Sequence, residues 1–158
     1  KSIISIAKQV SIKIIHQTSE KNINFFKNFY SQNNIENKVF SFDHNLNKVL
    51  KKGDLCITRA GASSLAELSF LNIPFVAIPL PSSKDNHQYE NAKYYKEQDC
   101  CWIIDQKSFD EQKFSKFLLT LINKSEDYLM KKNNLQKLNY QNTWNNVNQN
   151  LLEIFNEN

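Results

Sequence analysis

Residues 54–91 read DLCITRAGASSLAELSFLNIPFVAIPLPSSKDNHQYEN and hold two short apolar runs with an amphipathic stretch between them. Leu55-Cys56-Ile57-Thr58 is the first run and Pro74-Phe75-Val76-Ala77-Ile78-Pro79 the second. Between them Leu65, Leu68 and Leu71 recur at helical spacing, with Glu67 on the opposite side. The order is strand, tight turn, helix, strand, polar loop, helix, the last beginning within Lys84–Asn91. In a parallel α/β sheet both turns fall at the carboxyl edge of the strands, where such folds take their ligands.

The rest of the chain repeats that alternation. Residues 1–9 predict the end of a helix carrying Ile3, Ile4 and Ala7. Val10–Ile15 predicts a strand ending at His16-Gln17-Thr18. Ser19–Tyr30 predicts a helix capped by Ser19, with Ile23, Phe26, Phe29 and Tyr30 as its buried stripe. Lys38–Phe42 is a short strand and Asn45–Lys52 a short helix stopped by Gly53. After Asn91 the helix runs on to about Gln98, and Cys100–Ile104 is the fifth strand. Ser108 is the expected cap of a helix over Phe109–Asn123, with Phe114, Phe117, Leu118 and Leu121 inward. Helices over Glu126–Leu138 and Trp144–Phe155 complete the pattern. Five strands joined by helices argue a Rossmann-like parallel sheet covered on both faces. In the usual doubly wound order, a chain that begins inside a helix lacks the central first strand. That absence would leave a gap between the Val10–Ile15 and Leu55–Thr58 strands.

At 158 residues the chain is expected to be one domain, residues 1–158, with a real core. No apolar run reaches the roughly 18 residues of a membrane span, and residues 1–16 do not read as a signal peptide. The net charge of +4 is spread over lysines scattered among Asn and Gln, so no nucleic-acid partner is expected. Cys56, Cys100 and Cys101 have no metal-ligand spacing and read as small buried residues of a reducing compartment. The first residue is Lys rather than Met, which suggests a fragment or a processed product. Glycine occurs only twice, where average usage of about 7% would give roughly eleven. Gly61, at a strand-to-helix junction, therefore stands out.

The Arg59–Glu67 segment suits a nucleoside diphosphate. The first turn of a helix leaves amides unpaired and carries about half a positive charge. Gly61 allows close approach there, and Ala62, Ser63 and Ser64 have no bulk to block an anion. Arg59 can add charge or brace the loop. Glu67, about a turn further in, can accept both hydroxyls of a ribose. His87, Gln88 and Asn91 lie at i, i+1 and i+4 of the next helix, so His87 and Asn91 share a face. Their imidazole and amides supply the donors and acceptors that sugar hydroxyls need. The bland alternatives are Ser63 and Ser64 as caps, Glu67 as a solvated helix residue, and Asp85 capping a surface helix. His16 ends a strand at the same sheet edge and is read either as a ligand contact or as structural. The segment Phe42–Asn45 ends another, where its backbone or the Phe42 ring can meet a base.

RAGASSLAEL followed, across a Pro-flanked strand, by KDNHQYENA resembles the carboxyl-terminal domain of the MurG family. These bacterial glycosyltransferases add N-acetylglucosamine to undecaprenyl-pyrophosphoryl-MurNAc-pentapeptide in peptidoglycan synthesis. The resemblance covers nearly the whole chain, from Ile14–Thr18 to the closing helices. It implies the carboxyl-terminal half of a GT-B enzyme, holding UDP-GlcNAc as donor substrate and using no metal or other cofactor. It places Phe42 and Asp43 beside the uracil, Asp43 chiefly through backbone groups, and Glu67 on the ribose hydroxyls. It sets Gly61–Ser64 at the diphosphate, with Ala62 also near the sugar, and His87, Gln88 and Asn91 on the GlcNAc. It further implies a peripheral place on the cytoplasmic face of the bacterial inner membrane. The lipid-linked acceptor would be bound through an amino-terminal domain absent here. No residue of this chain reads as the catalytic base, so the isolated chain is expected not to turn over. Two rivals remain at this stage: the donor subunit of a split UDP-GlcNAc transferase, and a non-catalytic nucleotide-sugar binding module.

Overall fold

The computed structural model describes residues 2–141. In chain order the elements are α1 (Ser2–Ala7), β1 (Lys13–Gln17), α2 (Ile23–Gln32), β2 (Glu36–Phe40), α3 (Leu46–Leu50), β3 (Cys56–Thr58) and α4 (Ala62–Phe70). They continue as β4 (Phe75–Ala77), α5 (His87–Glu97), β5 (Cys101–Ile103), α6 (Glu111–Ile122) and α7 (Glu126–Gln141). Short 3-10 turns at Glu20–Asn22, Lys84–Asn86 and Gln106–Ser108 lead into α2, α5 and the approach to α6. The helix expected over Trp144–Phe155 lies outside the described residues.

All strand pairings are parallel, as expected, but they form two sheets: β1-β2 and β3-β4-β5. The chain likewise separates into two compact units. One comprises the chain up to Gly53 with Phe109–Asn123, and the other Asp54–Ser108 with the chain from Lys124.

In the first unit, Tyr30 of α2 packs with Ile35 and with Val39 of β2, and Ile23, Phe26 and Phe29 complete the predicted stripe. Register is set by partners rather than by local hydrophobicity. Lys13 pairs with Glu36 across the ladder and forms an ion pair with it. This draws polar Glu36 and Asn37 into β2 and starts β1 three residues later than the apolar run suggests. α6 is capped by Asp110, not Ser108: Asp110 Oδ1 accepts from Lys113 N–H at 2.7 Å, closing the first turn. Ser19 has the extended backbone of a cap but makes no capping bond, since the 3-10 turn intervenes.

In the second unit β4 is the central strand and is buried along its length, the signature of a strand covered on both faces. Leu65 and Leu68 of α4, Phe75 of β4 and Leu135 of α7 form its core. Asn139 of α7 donates to Ser69 O at 2.6 Å and to Asn72 Oδ1 at 2.8 Å, fastening α7 across the end of α4. The glycine shortage has a visible consequence. Asn34, Asn72, Asp99 and Lys124, each two residues past the end of a helix, take φ between 50° and 56°, where glycine is usual. Gly53, the expected helix stop, follows α3 but has no positive φ.

Candidate functional site

The second unit brings the starts of α4 and α5 together at the carboxyl edge of β3 and β4. Between β3 and α4 the chain turns at Ala60, which is fully buried with φ of 65°. The left-handed residue of this turn is thus Ala60 and not Gly61, whose φ of −64° and ψ of 138° are those of an extended N-cap. A left-handed alanine costs about 1–2 kcal/mol, so its surroundings must impose it. Asn91 of α5 does so in part, its Nδ2 donating to Ala60 O at 3.2 Å. A Cβ on Gly61 would meet Ser64 Oγ at 3.8 Å, an ordinary contact. Neither φ nor packing requires glycine here.

Among the described residues no side chain caps α4, and none accepts from its first-turn amides. Ala62, Ser63 and Ser64 are exposed, and Ser63 and Ser64 are not caps. Glu67 is half-buried and has no side-chain hydrogen bond or ion pair among the described residues. Arg59 is a brace: its Nη1 donates to Ile78 O at 3.2 Å and to Gln106 Oε1.

α5 begins at His87 after Asp85 and Asn86, both left-handed, with φ of 50° and 55°. The N-cap is Asn86, not Asp85, and its side chain makes no capping bond. His87 Nδ1–H donates to Lys84 O at 2.6 Å, a bond that leaves Nε2 as the ring acceptor. Gln88 Oε1 accepts from Leu80 N–H at 2.8 Å, leaving the amide nitrogen as donor. Asn91 keeps its carbonyl oxygen. Each of the three side chains thus spends one polar atom on the scaffold and retains another.

The first unit holds Phe42, Asp43 and His16. Phe42 is 69% exposed and meets His44 edge-on at 4.8 Å. The Asp43 carboxylate is already used, with Oδ2 on Lys38 Nζ at 2.9 Å and Oδ1 on Asn45 N–H at 2.9 Å. The Lys38 hydrogen bond, then the Asn45 amide, hold its carboxyl below the usual carboxylate range. Each Asp43 carboxylate oxygen thus already has one scaffold partner. His16 Nδ1 bonds Tyr30 OH at 3.1 Å, and the ring lies edge-on to Phe26 at 4.4 Å. Burial lowers its pKa, and these partners favour the structural reading. Among the described residues no three His, Cys, Asp or Glu side chains gather as a metal set, and no helix is long and apolar enough to cross a membrane.

The sequence model of the glycosyltransferase family 28 C-terminal domain matches residues 2–147. The chain belongs to this family. The UDP-N-acetylglucosamine--N-acetylmuramyl-(pentapeptide) pyrophosphoryl-undecaprenol N-acetylglucosamine transferase of Pelagibacter ubique (strain HTCC1062) is 45% identical over 157 residues, 99% of this chain and 44% of that protein. The protein of the same name from Sulfurovum sp. (strain NBC37-1) is 43% identical over 106 residues, 67% of this chain and 31% of its own length. The chain therefore spans less than half the length of these relatives. Among solved structures, MurG of Acinetobacter baumannii superposes with a TM-score of 0.73 at 23% identity, covering 86% of this chain and 40% of that one. The glycotransferase of kitacinnamycin gives 0.65 at 16% identity, over 87% and 33%. These two likenesses are of fold, and they agree with the Rossmann-like carboxyl-terminal half of a GT-B transferase.

The residue that sequence reasoning missed is Gln106. It lies 47 positions from Arg59, in a turn with no motif. Only the fold brings the two together.

Proposed function

We propose that this chain supplies the donor half of an inverting transferase. It would move GlcNAc from UDP-GlcNAc to undecaprenyl-pyrophosphoryl-MurNAc-pentapeptide at the cytoplasmic face of the bacterial inner membrane. The observation that carries the reading is the uncapped start of α4, fixed beside α5 by the Asn91–Ala60 bond, in a chain 45% identical to a transferase of that name. The α4 amides and dipole would receive the diphosphate. Glu67 would accept the two ribose hydroxyls. His87 Nε2, the Gln88 amide nitrogen and Asn91 Oδ1 would address the sugar. Phe42 and the Asp43 backbone are assigned to the uracil on the family resemblance alone.

In such a transfer the acceptor hydroxyl attacks the anomeric carbon from the face opposite UDP. The bond to the diphosphate oxygen breaks, and configuration inverts. Preorganised donors matter most where the leaving group gathers charge, and the α4 amides would hold it there without a metal. Among the described residues no side chain is assigned as base for the acceptor hydroxyl; on this reading the base would come from an amino-terminal domain, and this chain alone would be inactive.

Calorimetric titration of the full chain with UDP-GlcNAc tests the donor site. Saturable binding is expected, weakened about 30- to 100-fold in Glu67→Ala by loss of two charge-assisted hydrogen bonds in a half-exposed setting. A folded wild-type chain with no response to UDP-GlcNAc would sink the reading.

A further inference from the structure

β3 and β4 pair through a regular parallel ladder whose rungs include Cys56 N–H to Pro74 O at 3.0 Å and Ile78 N–H to Thr58 O at 2.8 Å. In this register the next rung would run from Ala60 N–H to Ile78 O. It does not form. Ala60 has turned into the left-handed region, and its N–H points to its own strand, at Thr58 Oγ1, 3.4 Å away. The acceptor left behind, Ile78 O, is taken by Arg59 Nη1 at 3.2 Å. A side chain thus replaces a backbone rung at the residue where β3 leaves the sheet. The same Nη1 also reaches Gln106 Oε1, in the 3-10 turn after β5. The last β4–β5 rung is Ile104 N–H to Ala77 O at 2.9 Å. Past these rungs, one guanidinium links the exits of all three strands.

We propose that Gln106 is a positioning residue for the donor site: acting through Arg59, it fixes the Arg59–Gly61 turn and so the aim of the first α4 amides. This rests on the donor-site reading above. Gln106 supplies an acceptor that keeps the guanidinium across the strand ends, where the planar fork serves two acceptors at once. Without it Arg59 is free to swing into solvent. The substitute rung to Ile78 O is then lost and the Ala60 turn loosened. Because the α4 amides address the diphosphate, the loss falls on ligands that carry one.

The test compares the full chain with Gln106→Ala and Gln106→Glu, the latter retaining an acceptor for the guanidinium. In ligand-free NMR spectra Gln106→Ala is expected to shift the Arg59 side-chain signal and the Ala62–Ser64 amides, with Gln106→Glu close to wild type. Unmoved signals in Gln106→Ala overturn the proposal whatever the ligand does. In titrations, Gln106→Ala is expected to bind UDP and UDP-GlcNAc about five- to tenfold more weakly, since only part of the worth of one charge-assisted contact reaches the ligand through Arg59. Uridine binding and the melting temperature are expected to hold, and Gln106→Glu to restore affinity. Equal affinity in Gln106→Ala, equal weakening for uridine, or no rescue by Gln106→Glu overturns the positioning role. A wild-type chain that ignores both nucleotides refutes the donor-site reading instead, while the ligand-free spectra still decide the clamp.

Discussion

Lys131 of α7 carries the sharpest prediction about stability. Its side chain is 3% exposed, and its ammonium contacts Asp99 Oδ1 at 2.7 Å and Asp127 Oδ1 at 3.1 Å. It also stands 5.2 Å from the centre of the Trp102 ring, whose Nε1–H donates to Asp127 Oδ2 at 2.6 Å. Burial alone would pull the Lys131 pKa down, but the two carboxylates outweigh it and the net shift is upward. Lys131→Met keeps the stem and removes the charge. Two charge-assisted hydrogen bonds would be worth about 3–6 kcal/mol if fully shielded. The carboxylates are 44% and 48% exposed, so they regain water when the lysine goes. Methionine also avoids the cost of burying an ammonium. The expected net loss is about 2 kcal/mol, or about 4–8 °C in melting temperature for a chain of this size. Urea unfolding near neutral pH measures it. Because the folded pKa of Lys131 is raised, its contribution is full below the ordinary lysine value and disappears as pH rises through the folded one. For Asp127, burial raises the pKa but the hydrogen bonds from Trp102 and Lys131 lower it further. Its contribution is full above the ordinary aspartate value and disappears as pH falls through the folded one. The wild-type advantage over Lys131→Met should therefore shrink at both extremes. A Lys131→Met chain as stable as wild type near neutral pH would show that desolvation cancels the pairing and refute the reasoning.

Two further outcomes follow from burial and from the α4 turn. Burial pushes the thiols of Cys56 and Cys100 up to about 11 and that of Cys101 up to about 12. Iodoacetamide at mildly alkaline pH should therefore label none of them until denaturant is added, and fast labelling of the folded chain would contradict this. Gly61→Ala should change stability by less than about 0.5 kcal/mol, since the backbone is extended and the new Cβ meets only an ordinary contact. It should nonetheless weaken UDP-GlcNAc about tenfold if the diphosphate approaches the helix start closely, and unchanged affinity would remove that role from Gly61.

The order of elements was legible because each strand contains apolar residues in a short run and each helix keeps its period, signals that depend only on near neighbours. What went astray depends on distant partners. β2 recruits Glu36 and Asn37 because β1 lies alongside, and Lys13 meets Glu36 there. Ser108 and Asp110 are both residues that cap helices, and the local pattern did not separate them. The carboxylate of Asp110 reaches Lys113 N–H, whereas Ser108 is taken into the preceding turn.

The site follows the same division between what a side chain offers and what the fold asks of it. The spacing of Gly61, Glu67, His87, Gln88 and Asn91 places them in the leading turns of two helices, with Gly61 as the N-cap of one and Glu67 in its second turn, and the structure agrees. Their polar atoms are another matter. Arg59 looks like a cation for a phosphate, yet its Nη1 stands in for a missing ladder donor. Asn91 looks like a sugar contact, yet its Nδ2 holds the carbonyl of a left-handed alanine. The cause is shared. A strand only three residues long has few rungs with which to hold the turn that follows it, and this turn carries the strain of Ala60. Side chains must supply the missing restraint, and those nearest the turn are the ones a ligand would also meet. On the donor-site reading, bracing and binding would therefore fall to the same residues, so a substitution at Asn91 or Arg59 would act on the turn even where it also removed a ligand contact. That is why Gln106, which braces from outside, separates the two roles better than either.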